Sequence, residues 1–565
     1  MDTTRLYGHR YQYKYIGGIA MFKDIRFTAM ISVVIGFMAV LLSGCASTAV
    51  GGGAGSAEKA LKITIPGEPL TIDPTKSIET NGGAVIDQVS EGIYRRDANN
   101  KIAAGVVDEV VKPTDNGTKY TFNINKDAKW QDGSAIKSED FVNSIDRQAD
   151  PRTKSQQTTS IQYIENFAAV NSGKADPSKL GIHAVNDRTF TIKLTKPVPF
   201  MNYEFTSFYP IQTSAIKKYG SQYGSSSDKT VANGAYVITG WNGTNDSWKY
   251  EKNKNYWDAK NVKIPEVDVT VVKDNNTAQN MFNGGQIDLT SLTGQYVKEN
   301  KNNKNLVVTE TGRNNYIYFN DKKKATSNEN LRKAISMVID QDQLAEDVLQ
   351  DGSIGANNIV PKDYAKDPKT GEDFTSEMGD QAPTDTTKAK EYWAKAQKEI
   401  GKDKISLDFL VDDTDTEKKL AEYVQGAVSN NLKGLTINIE SVPHATHVTR
   451  DFSTDFDICT VGWGPDYPDA QNFLDGMRSN NTINFSKFKD QQYDDLMNKV
   501  DDTTKYDANQ RWDFEKQADK RLMSIAAVAP TYQASQAHLI SSKVGGLKWD
   551  AMSGQSGKLQ YAFWK

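Results

Sequence analysis

Cysteine is nearly missing from this chain, with two residues, Cys45 and Cys459, among 565. Cys45 sits in a processing motif described below, so no disulfide framework is expected to hold the body together. Histidine is scarce too, at five residues. His444 and His447 stand three apart with Asp451 after them, and the other histidines are far away in sequence. Zinc needs three or four convergent ligands, so this segment reads as a loop or cleft wall, and no metal or cofactor is expected. A surplus of positive charge is also absent. The 68 Lys and Arg stand against 72 Asp and Glu, a net charge of −4, which leaves no basic footprint for nucleic acid.

Catalytic signatures are missing as well. The chain holds no Gly-x-Ser-x-Gly elbow, no His-Glu-x-x-His helix and no phosphate-binding loop. Cys459 is flanked by apolar strand residues, a poor setting for a nucleophile. An exported hydrolase is therefore disfavoured, although the abundant carboxylates leave a glycosidase-like acid pair open.

Long apolar runs are missing with one exception. Lys23 and Arg26 precede Phe27–Leu42, sixteen residues without a charge, which end in Leu42-Ser43-Gly44-Cys45. A positive start, an apolar stretch shorter than the ~20 residues of a spanning helix, and small residues at the end describe a secretory signal. The ending resembles the lipobox of bacterial lipoproteins, in which the cysteine is lipidated and becomes the first mature residue. The twenty residues before Met21 fit no signal and read as an upstream extension, with translation expected to begin at Met21. Residues 21–44 are then the signal. Residues 45–57 form a small-residue tether spanning roughly 20 Å as a coil.

What remains is globular: 38% apolar and 25% charged residues, with a mean hydropathy of −0.61. Domains of about 100–200 residues imply two or three lobes. Period-two alternation predicts strands at Lys62–Ile65, Tyr120–Ile124, Thr189–Leu194, Val267–Val272 and Phe456–Gly462. Helical spacing covers Asn330–Leu349, Thr384–Ile400 and Thr416–Leu432. Mixed strands and helices without a repeat predict α/β lobes on a twisted sheet.

Seven tracts resemble, in order, the peptide-binding family of ABC-importer solute-binding proteins. They are Leu70–Pro74; Ser90–Tyr94; Tyr120–Phe122 with Trp130–Gly133, Ser138–Val142, Arg147 and Asp150–Pro151; Asn233–Tyr236; Asn255–Asp258; Leu331–Ile335 with Ile339 and Asp340; and Gly462–Asp469. Within the family the resemblance is closest to oligopeptide-binding proteins. It implies a periplasmic-binding-protein-like α/β fold, with two ligand-binding lobes on a two-strand hinge plus an extra domain. Domain I would combine 58–90, 215–310 and 535–565; domain II would be 91–214; domain III would be 311–534. It also implies an oligopeptide ligand, an ABC transporter permease as partner and a monomer tethered by lipid to the outer face of the membrane. A pheromone receptor, or a binder of nickel, haem or sugar, shares the scaffold.

Much of the signature is turn and cap chemistry. Asp132-Gly133 makes a turn, and Ser138 with Asp140 starts a helix. A free peptide brings a buried ammonium that needs a carboxylate, and Asp466, in the turn after a strand, is the candidate. In the family the aspartate at this motif position pairs with the peptide's amino terminus. Gly462, Trp463 and Gly464 match positions whose backbone pairs with peptide, and Glu79 and Thr80 match the segment facing them. Tyr316 and Tyr318, alternating on a strand past the hinge, are cleft candidates. Thr460 stands where relatives can place a basic residue for the peptide carboxylate, and Gln157 stands where they can place an aromatic. Both departures imply tolerance of peptide length, with Arg450 the nearby substitute cation.

Cys45 should carry two acyl chains and form the mature amino terminus, since two chains anchor stably where one does not. Intact-mass measurement of membrane-extracted protein checks this. Cys45→Ala protein that stays membrane-bound through an uncleaved segment would overturn it.

Overall fold

The computed structural model describes residues 60–78, 80–97, 101–547, 549 and 558–565. The signal segment, Cys45, the tether and Glu79 lie outside the described residues.

Alternating apolar residues become strands because successive side chains point to opposite faces. Leu61–Ile65 (β1) buries Leu61 and Ile63 and leads towards Thr80–Val89 (α1). Lys119–Asn123 (β2) buries Tyr120 and Phe122 and turns Thr121 and Asn123 outward. With Ile182–Asn186 (β3) and Thr189–Lys193 (β4) it forms a small antiparallel sheet in the order β2-β4-β3. Ser138–Ala149 (α2) packs on that sheet, stacking Phe141 on Phe190 at 4.7 Å between centroids.

Several signature residues hold this region together. Asp140, in the first turn of α2, accepts hydrogen bonds from the Lys137 N–H at 3.0 Å, Trp130 Nε1 at 3.1 Å and the Thr213 N–H at 2.8 Å. Asp132 accepts from the Ser134 N–H at 2.8 Å, and Gly133 supplies the positive φ of +86° that the turn requires.

The main sheet has eleven strands. One side contains Tyr236–Thr239 (β5), Ser247–Lys252 (β6), Glu266–Val271 (β7) and Leu289–Leu292 (β8) beside β1. Two long strands follow, Leu306–Phe319 (β9) and, late in the chain, Val528–Ile540. The other side holds Ile405–Asp412 (β10), Leu435–Val442 (β11) and Ile458–Trp463 (β12). Numbering Val528–Ile540 as β13, the order is β11-β10-β12-β9-β13-β8-β1-β7-β6-β5, and Ile354–Gly355 also pairs with β13. β9 and β13 are antiparallel, with a register shift between Glu310 and Asn314.

Helices cover the β9–β12 side. Thr386–Ile400 and Asp415–Asn431 match the predicted positions within two residues. The helix predicted across 330–349 is broken. Glu329–Ser336 (α3) ends near Met337, and a second start follows at Asp340, whose carboxylate accepts from the Gln343 N–H at 2.9 Å. The Tyr423 hydroxyl bonds both the N–H and the C=O of Asp340 at 3.1 Å. A tertiary contact thus outweighs the continuous apolar spacing. We number Thr386–Ile400 α4 and Asp415–Asn431 α5.

Asp73, from the Leu70–Pro74 tract, is fully buried and meets Arg147 of α2. Nη2–Oδ2 is 2.7 Å and Nη1–Oδ1 is 3.0 Å, a bidentate pair. Asp73→Ala would strand the guanidinium and should cost ~3–5 kcal/mol in urea unfolding. A loss below ~1 kcal/mol, typical of an exposed pair, would show that the bridge does not hold these segments together.

Candidate functional site

β12 has a strand on both sides only at its start. Against β9 it pairs from Ile458 through Trp463, with Gly462 opposite Asn315 and Trp463 opposite Asn314. Against β10 the pairing covers Ile458 and Cys459 alone. From Thr460 to Trp463 the β10-side edge therefore has no strand partner among the described residues. Such an edge presents main-chain donors and acceptors to whatever extended chain arrives. Gly462 is constrained there by close approach, since a Cβ would collide with Arg313 Nη2 and Asn315 Oδ1.

The turn after β12 is organised by Asn472. Its Oδ1 accepts from Trp463 Nε1 at 3.0 Å and from the Asp466 N–H at 3.3 Å, while its Nδ2 donates to Asp466 Oδ2 at 3.4 Å. One buried amide thus orients the indole and the carboxylate together. Asp466 remains open to solvent, yet protein surrounds it closely enough that desolvation raises its pKa, with the Asn472 hydrogen bond opposing.

A second carboxylate faces it from a distant part of the chain. Glu204, at the end of the helical turn Met201–Glu204, is buried, and its pKa is pushed up to about 8, first by desolvation and then by the charge of Asp466. Neither carboxylate has an ion pair among the described residues. Next to Asp466, Tyr467 stacks on Phe200 with centroids 3.4 Å apart and planes 2° from parallel. It joins the hydrophobic cluster built around β2 and β4. Thr503 Oγ1 donates to the Pro197 carbonyl at 3.0 Å, and Lys196 pairs with Asp501 at 3.3 Å. These contacts hold the β12 turn against the region of the small sheet.

The other predicted residues fall in different places. Gly464 is half-buried, and Arg313 Nη1 would stand 4.0 Å from a Cβ there. Thr80 is exposed at the first position of α1. Tyr316 and Tyr318 are buried side by side in the core, with the Tyr316 hydroxyl donating to the Ile359 carbonyl at 2.5 Å, so they lie under the strand. Thr460 is buried, and its Oγ1 has no hydrogen-bond partner. Gln157 is half-buried in a loop. Arg450 is committed elsewhere, 2.6 Å from Glu440 and 3.3 Å from Asp455. The segment read as a loop from His444 is the helix His444–Ser453 (α6).

Sequence reasoning missed Glu204, Asn472 and Arg313. Glu204 lies more than 250 positions from Asp466, and no local pattern joins them. Arg313 is exposed, flanks Gly462 and has no ion pair among the described residues.

The mixed sheet and its covering helices are those of a periplasmic-binding-protein-like fold. The family model of the bacterial extracellular solute-binding proteins, family 5 (middle region), matches residues 101–485, and the chain belongs to that family. A dipeptide-binding protein of Lactococcus lactis is 30% identical over 537 residues, covering 92% of this chain and 96% of the relative. Listeria monocytogenes OppA bound to peptide is 33% identical with a TM-score of 0.79, covering 90% of this chain and 99% of that one. The pheromone receptor PrgZ, solved for its mode of peptide binding, is 31% identical with a TM-score of 0.79, over 90% and 100%. No helix among the described residues is long and apolar enough to cross a membrane.

The raised pKa of Glu204 sets a pH dependence. Below its ordinary value of 4.5 the carboxyl is protonated folded or unfolded. As pH rises towards about 8 the unfolded chain ionises first, so this group's stabilising contribution is lost across that window. Glu204→Gln should match the parent near pH 4 and exceed it by a few kcal/mol near pH 8. Urea titrations of both at each pH check this, and a difference that does not vary with pH would contradict the assignment.

Proposed function

We propose that this chain captures peptides outside the cell and delivers them to an ABC importer. The peptide main chain adds to the open edge of β12 at Thr460–Trp463, and its ammonium meets Asp466, with Glu204 as the second carboxylate. The observation that carries this reading is the carboxylate pair itself. Burial and then the charge of Asp466 raise the proton affinity of Glu204, which comes from a distant segment, and a cation between the two acids relieves that cost. Trp463 and Gly464 flank the main chain, and Thr80 with Glu79 supplies the opposing wall. Arg313, rather than Arg450, is the cation beside the strand.

In this reading the segments group as three domains: 58–90 with 215–310 and 535–565, then 91–214, then 311–534. The register shift in β9 serves as hinge. The protein works as a binder without catalysis, as a monomer held by lipid on Cys45, with permease subunits as its partner. Likeness to PrgZ supports a second reading in which the captured peptide is a signal; the cleft chemistry is the same.

Titration with an unmodified peptide tests the proposal. Asp466→Ala and N-acetylation of the peptide should each weaken binding by ~10²–10³-fold, the cost of breaking a buried ion pair. The peptide should be recovered intact after prolonged incubation. A change below about threefold from both alterations, about 0.7 kcal/mol, would remove Asp466 from the site.

A further inference from the structure

The second cysteine and the segment beginning at His444 are far from the cleft chemistry in role, but they meet in three dimensions. His447 and Asp451 are four apart on α6 and so share one face. Cys459 lies on β12. One ring nitrogen of His447, one carboxylate oxygen of Asp451 and Cys459 Sγ all lie within 4.8 Å of one another. All three residues are buried, with exposures of 4%, 7% and 0%.

The hydrogen-bonding around His447 is incomplete in a directed way. Its Nδ1 is 2.7 Å from Asp412 Oδ1. When the neutral ring donates Nδ1–H to that carboxylate, Nε2 carries a lone pair that can bond a metal; the protonated ring instead offers Nε2–H to Asp451. Nε2 faces Asp451 Oδ1 at 3.5 Å, and neither atom has a hydrogen-bond partner. Both atoms are buried without a hydrogen bond, a cost that either a ring proton or a metal ion between Nε2 and Oδ1 relieves. Glu417, at the start of α5, adds another buried oxygen without a partner.

We propose that His447 Nε2, an Asp451 carboxylate oxygen and Cys459 Sγ form a zinc site. Imidazole, thiolate and carboxylate together suit zinc, whereas magnesium and calcium take oxygen ligands. Tetrahedral ligands at about 2.0–2.3 Å from zinc stand roughly 3.3–3.8 Å apart. The Nε2–Oδ1 separation is already in that range, and side-chain rotation closes the rest. The Glu417 carboxylate or a water takes the fourth position. Asp412 is a positioning residue, holding the imidazole from behind as carboxylates do for metal-bound histidine. Its other oxygen, Oδ2, lies 2.8 Å from Nδ1 of the exposed His444, which marks the route from the surface. On binding, the Cys459 thiol gives up its proton to buffer and the thiolate bonds the metal. The ion ties α6 to β12.

Full-length protein, stripped with a chelator, is titrated with zinc against a chromophoric competitor and separately with cobalt(II). One equivalent of zinc should bind and raise the thermal midpoint. Cobalt should give tetrahedral visible bands and a near-ultraviolet thiolate charge-transfer band. That band should survive Cys45→Ser, which removes the only other cysteine, and vanish in Cys459→Ser. Asp412→Asn should weaken zinc binding by ~10–100-fold while the tetrahedral spectrum is kept. Absence of the thiolate band in the parent overturns the proposal whether or not the variants fold. So does zinc affinity unchanged in Cys459→Ser, or a thiolate band lost in Cys45→Ser.

Discussion

Two strands of fourteen and thirteen residues, β9 and β13, are hydrogen-bonded to each other along most of their length. In the strand order, β8-β1-β7-β6-β5 and β11-β10-β12 are joined through them alone. The register shift between Glu310 and Asn314 falls within this pair. Gly312, inside the shift, has no room for a side chain, because a Cβ would come within 2.7 Å of Pro465 in the β12 turn. The irregular stretch of the long pair and the turn that carries Asp466 therefore touch. A change in the backbone at one is felt at the other, since close-packed contacts transmit displacement instead of absorbing it.

Electrostatics and packing act in opposite directions at that turn. Tyr467 sits in the hydrophobic cluster of the small sheet and stacks on Phe200. One residue away is Asp466, whose charge adds to the larger effect of burial in raising the pKa of Glu204. The aromatic contact draws the two regions together, and the carboxylates resist while both are ionised. A cation changes the sign of the second effect without touching the first. Under the proposed function, a cationic ligand there would shift any closure only by its differential affinity for the two states.

Local features were readable from the sequence in proportion to how local their causes are. Strands β1, β2, β4 and β7 follow two-residue alternation, and α4 and α5 follow helical spacing, because each answers to its own buried face. The turn at Asp132-Gly133 and the start of α2 were readable from cap and turn chemistry. Asp466 stood out because it lies in a turn after a strand at a motif position where the resemblance implies a carboxylate for the peptide's amino terminus. The break after α3 was not readable, since it depends on the Tyr423 hydroxyl more than eighty positions away. Glu204, Asn472 and Arg313 lacked any signal for the same reason: each acquires its place from a partner that only the fold supplies. His447 and Cys459 were read singly as a loop histidine and a core thiol, and their proximity depends on α6 being a helix packed beside β12.

The open edge of β12 has a consequence for solubility. An exposed strand edge cannot tell a nutrient from the edge of another copy, and unprotected edges seed intermolecular sheets. Here the unpaired stretch is four residues long, from Thr460 to Trp463. Gly464 and Pro465 follow at once, and proline has no N–H to extend a ladder. The Phe200–Tyr467 stack lies just past that stop. A neighbouring molecule could pair with only these few residues before the ladder stops. The same brevity that restricts the length of main-chain pairing thus guards the protein against self-association.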